Sequence, residues 1–292
     1  LYYLLHRFTA HLNAIGGGST FAEVSKTDVS NLQVTVPPLQ EQKKIAAILS
    51  RVDEAIRTTQ EIIEETEQLK KGLMQDLLTR GIGHDEFKEV QIGPKTVSVS
   101  AKWDAQPLGD LAYFKNGVNF SGDQKGNQGV PTVDVLNMYG EGLSVDTDNL
   151  YKVDKDIGDQ YVLRPGDILF VRSSLKKEGV GQVCLFSGAD EPVTFCGFLI
   201  RARVDKARIW PRFVAYYLRH SLIHDILVAG SGEVANTNLT QSDLKNLVIL
   251  LPPVDEQQQI ATILTRVDDK LQTEREYRQE LTELKKGLMQ DL

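Results

Sequence analysis

Two short stretches of this sequence concentrate side chains able to grip an anion or the polar edge of a flat ring. Arg172-Ser173-Ser174-Leu175-Lys176-Lys177 joins a guanidinium fork, two hydroxyls and two ammonium groups beside Gly179. Such groups suit phosphate oxygens and base edges, because the fork pairs bidentately with two coplanar acceptors while an ammonium acts as a point charge. Asn236-Thr237-Asn238-Leu239-Thr240-Gln241 adds amides and hydroxyls within a Gly/Ser-rich stretch that begins at Gly230. Arg201 and Arg203 share one strand face by alternation, Arg208 and Arg212 add positive charge, and Lys115 and Asn116 precede Gly117. A solvated loop also accounts for the first group, and a turn with a helix N-cap at Thr240 or Ser242 for the second.

Groups that break bonds are not arrayed in the same way. His220 and His224 lie four apart on an expected helix but lack a third ligand and a His-Glu-x-x-His frame, so a structural role is expected. Pro37-Pro38 and Pro252-Pro253 follow Val36 and Leu251 and precede no aromatic residue, unlike the catalytic motif of adenine methyltransferases. Cys184 and Cys196, the 2 cysteines, sit in apolar strand-like sequence and are expected as buried free thiols. No catalytic residue and no metal ligand is assigned.

The elements that must position these groups follow from composition and pattern. A chain of 292 residues with 41% hydrophobic and 25% charged side chains can bury a core and more than one domain. No run reaches the roughly 18 apolar residues of a membrane span, and Leu1 to Arg7 lack a basic leader, so a cytoplasmic location without membrane contact is expected. The formal charge of -7 disfavours a phosphate-rich partner, but it is unevenly spread. Between Gln160 and His220 ten Lys/Arg face five Asp/Glu, whereas from Val254 onward six face nine. The basic region is local.

An internal repeat organises the whole. VPPLQEQKKIAAILSRVDEAI from Val36 recurs as LPPVDEQQQIATILTRVDDKL from Leu251, and QLKKGLMQDL from Gln68 as ELKKGLMQDL from Glu283. At an offset of 215, 22 of the 40 positions from Pro37 to Asp76 are identical. Upstream, Tyr2-Tyr3-Leu4 aligns with Tyr216-Tyr217-Leu218, and Asp28 and Leu32 with Asp243 and Leu247. Each Pro-Pro ends a β-branched run and opens a helix, with Glu41 or Glu256 in the first turn. Apolar residues at Ile45, Ile48, Val52, Ala55, Ile62, Leu69 and Leu73 form a heptad seam; in the second copy they fall at Ile260, Ile263, Val267, Tyr277, Leu281, Leu284 and Leu288. The two helices are expected to pair antiparallel, and at 1.5 Å per residue each would be about 60 Å long.

The pattern predicts an α+β chain. Residues 1–38 form the C-terminal remnant of a first globular domain, the rest of which, about 110 residues matching Trp103 to Phe213, would lie ahead of Leu1. Residues 39–80 form a central helix, 81–102 a linker, 103–251 a second globular domain and 252–292 a distal helix.

EQKKIAAIL with LKKGLMQDLLTRGIGHDEFK, the duplicated PPxxEQ, the LGDLAYFKNG opening, the RPGDILFVR strand and the NLTQSDLKNLVILLPP exit resemble Type I restriction-modification specificity subunits over essentially the whole chain. The resemblance implies a non-catalytic subunit whose target-recognition domains each read half of a bipartite site in double-stranded DNA, held apart by the antiparallel helices. It implies methyltransferase and restriction subunits as partners, with S-adenosylmethionine, ATP and Mg on those partners and no cofactor here. With one complete recognition domain, a second copy of the chain is a further candidate partner. Glu41, Gln42, Glu256 and Gln257, at equivalent helix starts, are candidates for partner contact or for capping alone. The rival expectation is a coiled-coil scaffold, or an inactive fragment, that never touches DNA.

Overall fold

Prolines punctuate this chain, since each removes an amide hydrogen and fixes φ where a strand must stop and a helix can start. The computed structural model describes residues 2–16, 23–140, 142–173, 179–230 and 238–290. Helices α1 (Tyr2–Arg7), α2 (Thr9–Ile15) and α3 (Lys26–Ser30) precede Pro37-Pro38 and the long α4 (Leu39–Leu77). Strands β1 (Phe87–Ile92), β2 (Lys95–Ser100), β3 (Asp104–Pro107), β4 (Ala112–Asn116), β5 (Lys125–Gly126), β6 (Val130–Val133) and β7 (Tyr151–Val153) follow. Next come β8 (Ile168–Val171), β9 (Val183–Leu185), β10 (Thr194–Phe195) and β11 (Leu199–Val204), and then α5 (Pro211–Arg219), α6 (Ser221–Gly230), α7 (Gln241–Asn246) and β12 (Val248–Leu251). Pro252-Pro253 then opens α8 (Val254–Gln290). Two units result: residues 1–68 with 269–292, and residues 69–268.

In the first unit the long helices pair antiparallel. Asp53 meets Lys285 at 2.5 Å, Gln60 meets Arg278, and Glu67 meets Arg275 at 2.6 Å, so one index rises as the other falls. The seam differs from the expected one by one residue at every second position. Leu49, Thr59, Ile63 and Thr66 are buried, whereas Ile48 and Leu69 stand 51% and 56% exposed. Positions 48/49, 55/56 and 62/63 are all apolar or Ala, so apolar spacing alone cannot choose between them. The partner helix decides, because its matching heptad positions run Leu271, Arg278 and Lys285, while Tyr277 and Leu284 point outward. Long cations on that seam bury their stems and reach acceptors at its margin. Thr59 and Thr66 donate to the carbonyls of Ala55 and Ile62, which satisfies their hydroxyls inside the seam.

The second unit is built around two sheets. β4-β11-β8-β9 is antiparallel throughout, and β8 is buried on both faces. Alternation sends Ile168 and Phe170 to a core with Phe213, Val214, Leu244, Ile260 and Leu264, and Leu169 and Val171 to one with Val133, Met138, Cys184 and Phe195. The second core lies beneath the other sheet, of order β10-β6-β7-β5. The stretch expected as a linker is a β1–β2 hairpin that buries Ile92 and Val99, followed by fully buried Trp103. β12 pairs with β3, which ties the strand before Pro252 to the start of this domain.

Candidate nucleic-acid interface

Antiparallel order places the C-terminal ends of β4 and β8 beside the N-terminal ends of β11 and β9. Three groups that are distant in sequence therefore meet at one end of this sheet. Asn116 ends β4, Arg172 and Ser173 follow β8, and Asn238 forms an isolated antiparallel bridge with Ser173. The join is polar and direct. The Leu239 amide donates to the Arg172 carbonyl at 2.9 Å, Ser173 Oγ donates to Asn238 Oδ1, and Gln241 Nε2 donates to Asn116 Oδ1 at 2.9 Å. Asn238 is exposed and Arg172 half-buried, and among the described residues the guanidinium has no hydrogen-bond or ion-pair partner. Among the described residues Arg172 thus presents a cation with its donors free, in a frame of amides and a hydroxyl. Ser174, Leu175, Lys176 and Lys177 of the first predicted group, and Asn236 and Thr237 of the second, lie outside the described residues.

Other predicted contacts are used within the fold. Arg201 is 1% exposed; it donates to the Gln160 carbonyl at 3.0 Å and lies over Phe195, and burial draws its pKa down. Arg203 forms a two-pronged pair with the buried Asp167 carboxylate at 2.7 Å, and also donates to the Val162 carbonyl. They do share a strand face, as expected, but residues 160–167 cover that face, so neither is a free surface cation. Lys115 is turned toward the ring of Tyr161 at 4.7 Å, beside these arginines instead of toward Asn116. Arg208 binds the Asp110 carbonyl and Gln106. Thr240 caps α7 through a capping box with Asp243, the alternative left open for it above.

His220 is buried and hydrogen-bonded to Gln75 at 3.1 Å, and among the described residues no group of three His, Cys, Asp or Glu could hold a metal ion. Cys184 and Cys196 are free and buried, and burial pushes their thiols up to about 11 and about 12.

The helix starts differ between the copies. Glu256 accepts from the Ile82 amide at 2.9 Å, meets His84 Nε2 at 2.8 Å and accepts from the Trp103 indole at 3.1 Å. Gly81, at φ +76°, makes room for this, since a Cβ there would strike the Glu256 carboxylate and the Trp103 ring. Gln257 is wholly buried; it accepts from the Trp210 amide at 2.7 Å and donates to the carbonyls of Arg208 and Pro252. Both are therefore internal fasteners and are not available for partner contact. Glu41 is exposed, and Gln42 donates to the Pro37 carbonyl at 2.7 Å.

A fastening that the sequence reading missed recurs in each unit. Tyr3 Oη meets Ser50 Oγ at 3.2 Å and donates to Asp53 at 2.9 Å, and Asp53 holds Lys285. Tyr216 Oη likewise meets Thr265 Oγ1 at 3.3 Å and donates to Asp268 at 2.7 Å, and Asp268 holds Lys70 at 2.6 Å. Ser50, Asp53 and Lys70 become Thr265, Asp268 and Lys285 at the offset of 215, but Tyr3 takes the place of Tyr216, not of Tyr217 as aligned above. A signal was available, since two adjacent tyrosines in each copy leave the register ambiguous by one residue.

Comparison with known proteins identifies the family. The chain belongs to the family described as Type I restriction modification DNA specificity domain, which matches residues 1–68 and 100–283. The putative type I restriction enzyme MjaX specificity subunit of Methanocaldococcus jannaschii is 29% identical over 282 residues, covering 92% of this chain. The type I restriction enzyme EcoBI specificity subunit of Escherichia coli is 25% identical over 276 residues, covering 88% of this chain and 56% of that protein. The chain spans 60% of the length of the MjaX protein. The fold is shared with the HsdS subunit from Thermoanaerobacter tengcongensis, at TM-score 0.56 and 20% identity over 99% of this chain and 66% of that one. It is also shared with the type I restriction-modification system S subunit from M. genitalium, at TM-score 0.66 and 17% identity over 99% of this chain and 70% of that one.

Proposed function

We propose that this chain is the sequence-reading component of a Type I restriction-modification assembly, acting on double-stranded DNA in the cytoplasm and leaving the chemistry to other subunits. The observation that carries this reading is the meeting of Asn116, Arg172, Ser173 and Asn238 at one end of the β4-β11-β8-β9 sheet. Amides, and a guanidinium without a partner among the described residues, are the groups that pair with base edges in a groove. Residues 103–251 act as a target-recognition domain for half of a bipartite site, and α4 and α8 set a spacing.

Residues 1–38 act as the closing part of a first such domain. Tyr3 stands to Ser50 and Asp53 as Tyr216 does to Thr265 and Asp268, and the Ser25–Asp28 capping box repeats that of Thr240–Asp243. Methyltransferase and restriction subunits bind the helices, and exposed Glu41 is a contact for them. S-adenosylmethionine, ATP and Mg reside on those subunits. A second copy of this chain can supply the other half-site.

The test is to purify the chain with its neighbouring methyltransferase subunit and to measure duplex binding at several salt concentrations. The expected result is a stable complex that prefers particular duplexes and weakens steeply with salt, as counterion release requires. A folded chain that forms no complex and binds no duplex would replace this reading with that of a scaffold.

A further inference from the structure

An exposed aromatic residue lies on a backbone turn at this end of the sheet. Phe198, in the turn between β10 and β11, is 60% exposed. Single exposed apolar residues are common, and Leu136 and Tyr113 are more exposed still, so what sets Phe198 apart is the fastened turn that carries it to the end of the sheet where Asn116 and Arg172 meet. The turn is held on each side. The Phe198 carbonyl accepts the Arg172 amide at 2.8 Å, the Gly117 amide donates to the Leu199 carbonyl at 3.1 Å, and the Leu199 amide donates to the Cys196 carbonyl at 3.0 Å. A Cβ on Gly117 would collide with the Cys196 carbonyl, and one on Gly197 with the Asn119 side chain. Two turns interleave here at a distance only glycine allows, and this fixes the backbone that carries the ring.

The groups that flank this turn choose the class of partner. Backbone pairing sets it between Asn116, opposite Ile200, and Arg172, whose amide bonds to the Phe198 carbonyl; Gln241 holds Asn116, and Asn238 bridges Ser173. A protein-binding aromatic anchor sits in an apolar patch with charge at its rim, whereas this turn is flanked by hydrogen-bonding groups and a cation. Bases offer what such a mixture needs: polar edges for the amides and guanidinium, and an apolar stack for the ring. Building on the proposal that this end faces DNA, we infer that Phe198 is an aromatic wedge, entering the duplex at a base step beside the bases reached by Asn116 and Arg172 and unstacking that step.

The test starts with the wild-type chain, purified with its neighbouring methyltransferase subunit, selecting duplexes from a randomised pool. The preferred duplex is then titrated with wild type, Phe198→Ala, Phe198→Trp and Arg172→Ala at several salt concentrations. A wedge contributes stacking and no counterion release, so Phe198→Ala weakens binding about tenfold at an unchanged salt slope, while Arg172→Ala relaxes preference at the one base position it reads. Phe198→Trp restores most of the affinity. Phe198→Ala also flattens base preference at adjacent positions, and 2-aminopurine at the selected step brightens with wild type but not with Phe198→Ala. Because the ring is exposed, thermal unfolding of Phe198→Ala matches wild type. Selection by wild type with an indifferent Phe198→Ala overturns the wedge alone. No selection by wild type overturns the wedge together with the DNA-reading proposal.

Discussion

Pro37-Pro38-Leu39-Gln40-Glu41-Gln42 and Pro252-Pro253-Val254-Asp255-Glu256-Gln257 open the two long helices with the same key residues, yet the two stretches differ in burial. Gln257 is wholly enclosed with three hydrogen bonds and Glu256 has three partners, whereas among the described residues the Gln42 side chain bonds to Pro37 alone and Glu41 faces solvent. The bond from the glutamine amide to the first Pro carbonyl is common to both, at 2.7 and 2.8 Å, because it is local to the helix start. Everything beyond it comes from Ile82 and His84 after α4, from Trp103, and from Arg208 and Trp210 ahead of α5, all in the second unit. Identical residues therefore act as a cap in one unit and as a cap plus a core fastener in the other.

The sharpest way to break this comparison is to truncate both glutamines. Gln257→Ala leaves the Trp210 amide and two carbonyls without partners in a closed site and should cost about 2–4 kcal/mol, against less than about 1 kcal/mol for Gln42→Ala. Trp103 and Trp210 are the 2 tryptophans and both lie in the second unit, so denaturation followed by Trp fluorescence reads the Gln257→Ala loss. Far-UV circular dichroism reads both units. Equal losses would mean that burial does not separate the two copies.

The tyrosine fastenings probe a feature the units share. Tyr216→Phe should cost about 1 kcal/mol and Tyr3→Phe somewhat less, since Tyr216 is 1% exposed and Tyr3 is partly open. If Tyr3→Phe proved the costlier, the equivalence with Tyr216 would have to be given up.

His220 tests whether a buried histidine makes the stability of the second unit depend on pH. Burial holds its pKa below 6.5, with Asp225 opposing more weakly, so the unfolded chain takes up the proton first as pH falls. Its stabilising contribution is thus complete above pH 6.5 and is lost as pH drops from there through the folded-state value. His220→Gln should flatten the stability profile of the second unit in that window, as read by unfolding midpoints between about pH 7 and 5. An unchanged slope would exclude this histidine as its source. The smallest effect concerns the thiols. Cys184 and Cys196 are closed off and weakly acidic, so a disulfide exchange reagent at neutral pH should label native chain only as fast as it opens.

Much of the molecule was legible in advance from repetition and punctuation. The duplicated Pro-Pro, the heptad spacing and the Gly-rich turns fix local conformation through φ, missing donors and side-chain period, all of which are properties of neighbouring residues. On that basis the α+β class, the long helix pair with its antiparallel sense, the free buried thiols and the Thr240 cap could be read. What could not be read depended on partners far away in sequence. Apolar spacing left 48 and 49 equivalent until Arg278 and Lys285 of the other helix took their side of the seam. Strand alternation put Arg201 and Arg203 on one face but could not say that residues 160–167 would cover it. The sequence determined which residues were able to bind. Only tertiary structure decided which of them remain free, because burial and hydrogen-bond satisfaction are set by the elements packed around a side chain and not by its neighbours in the chain.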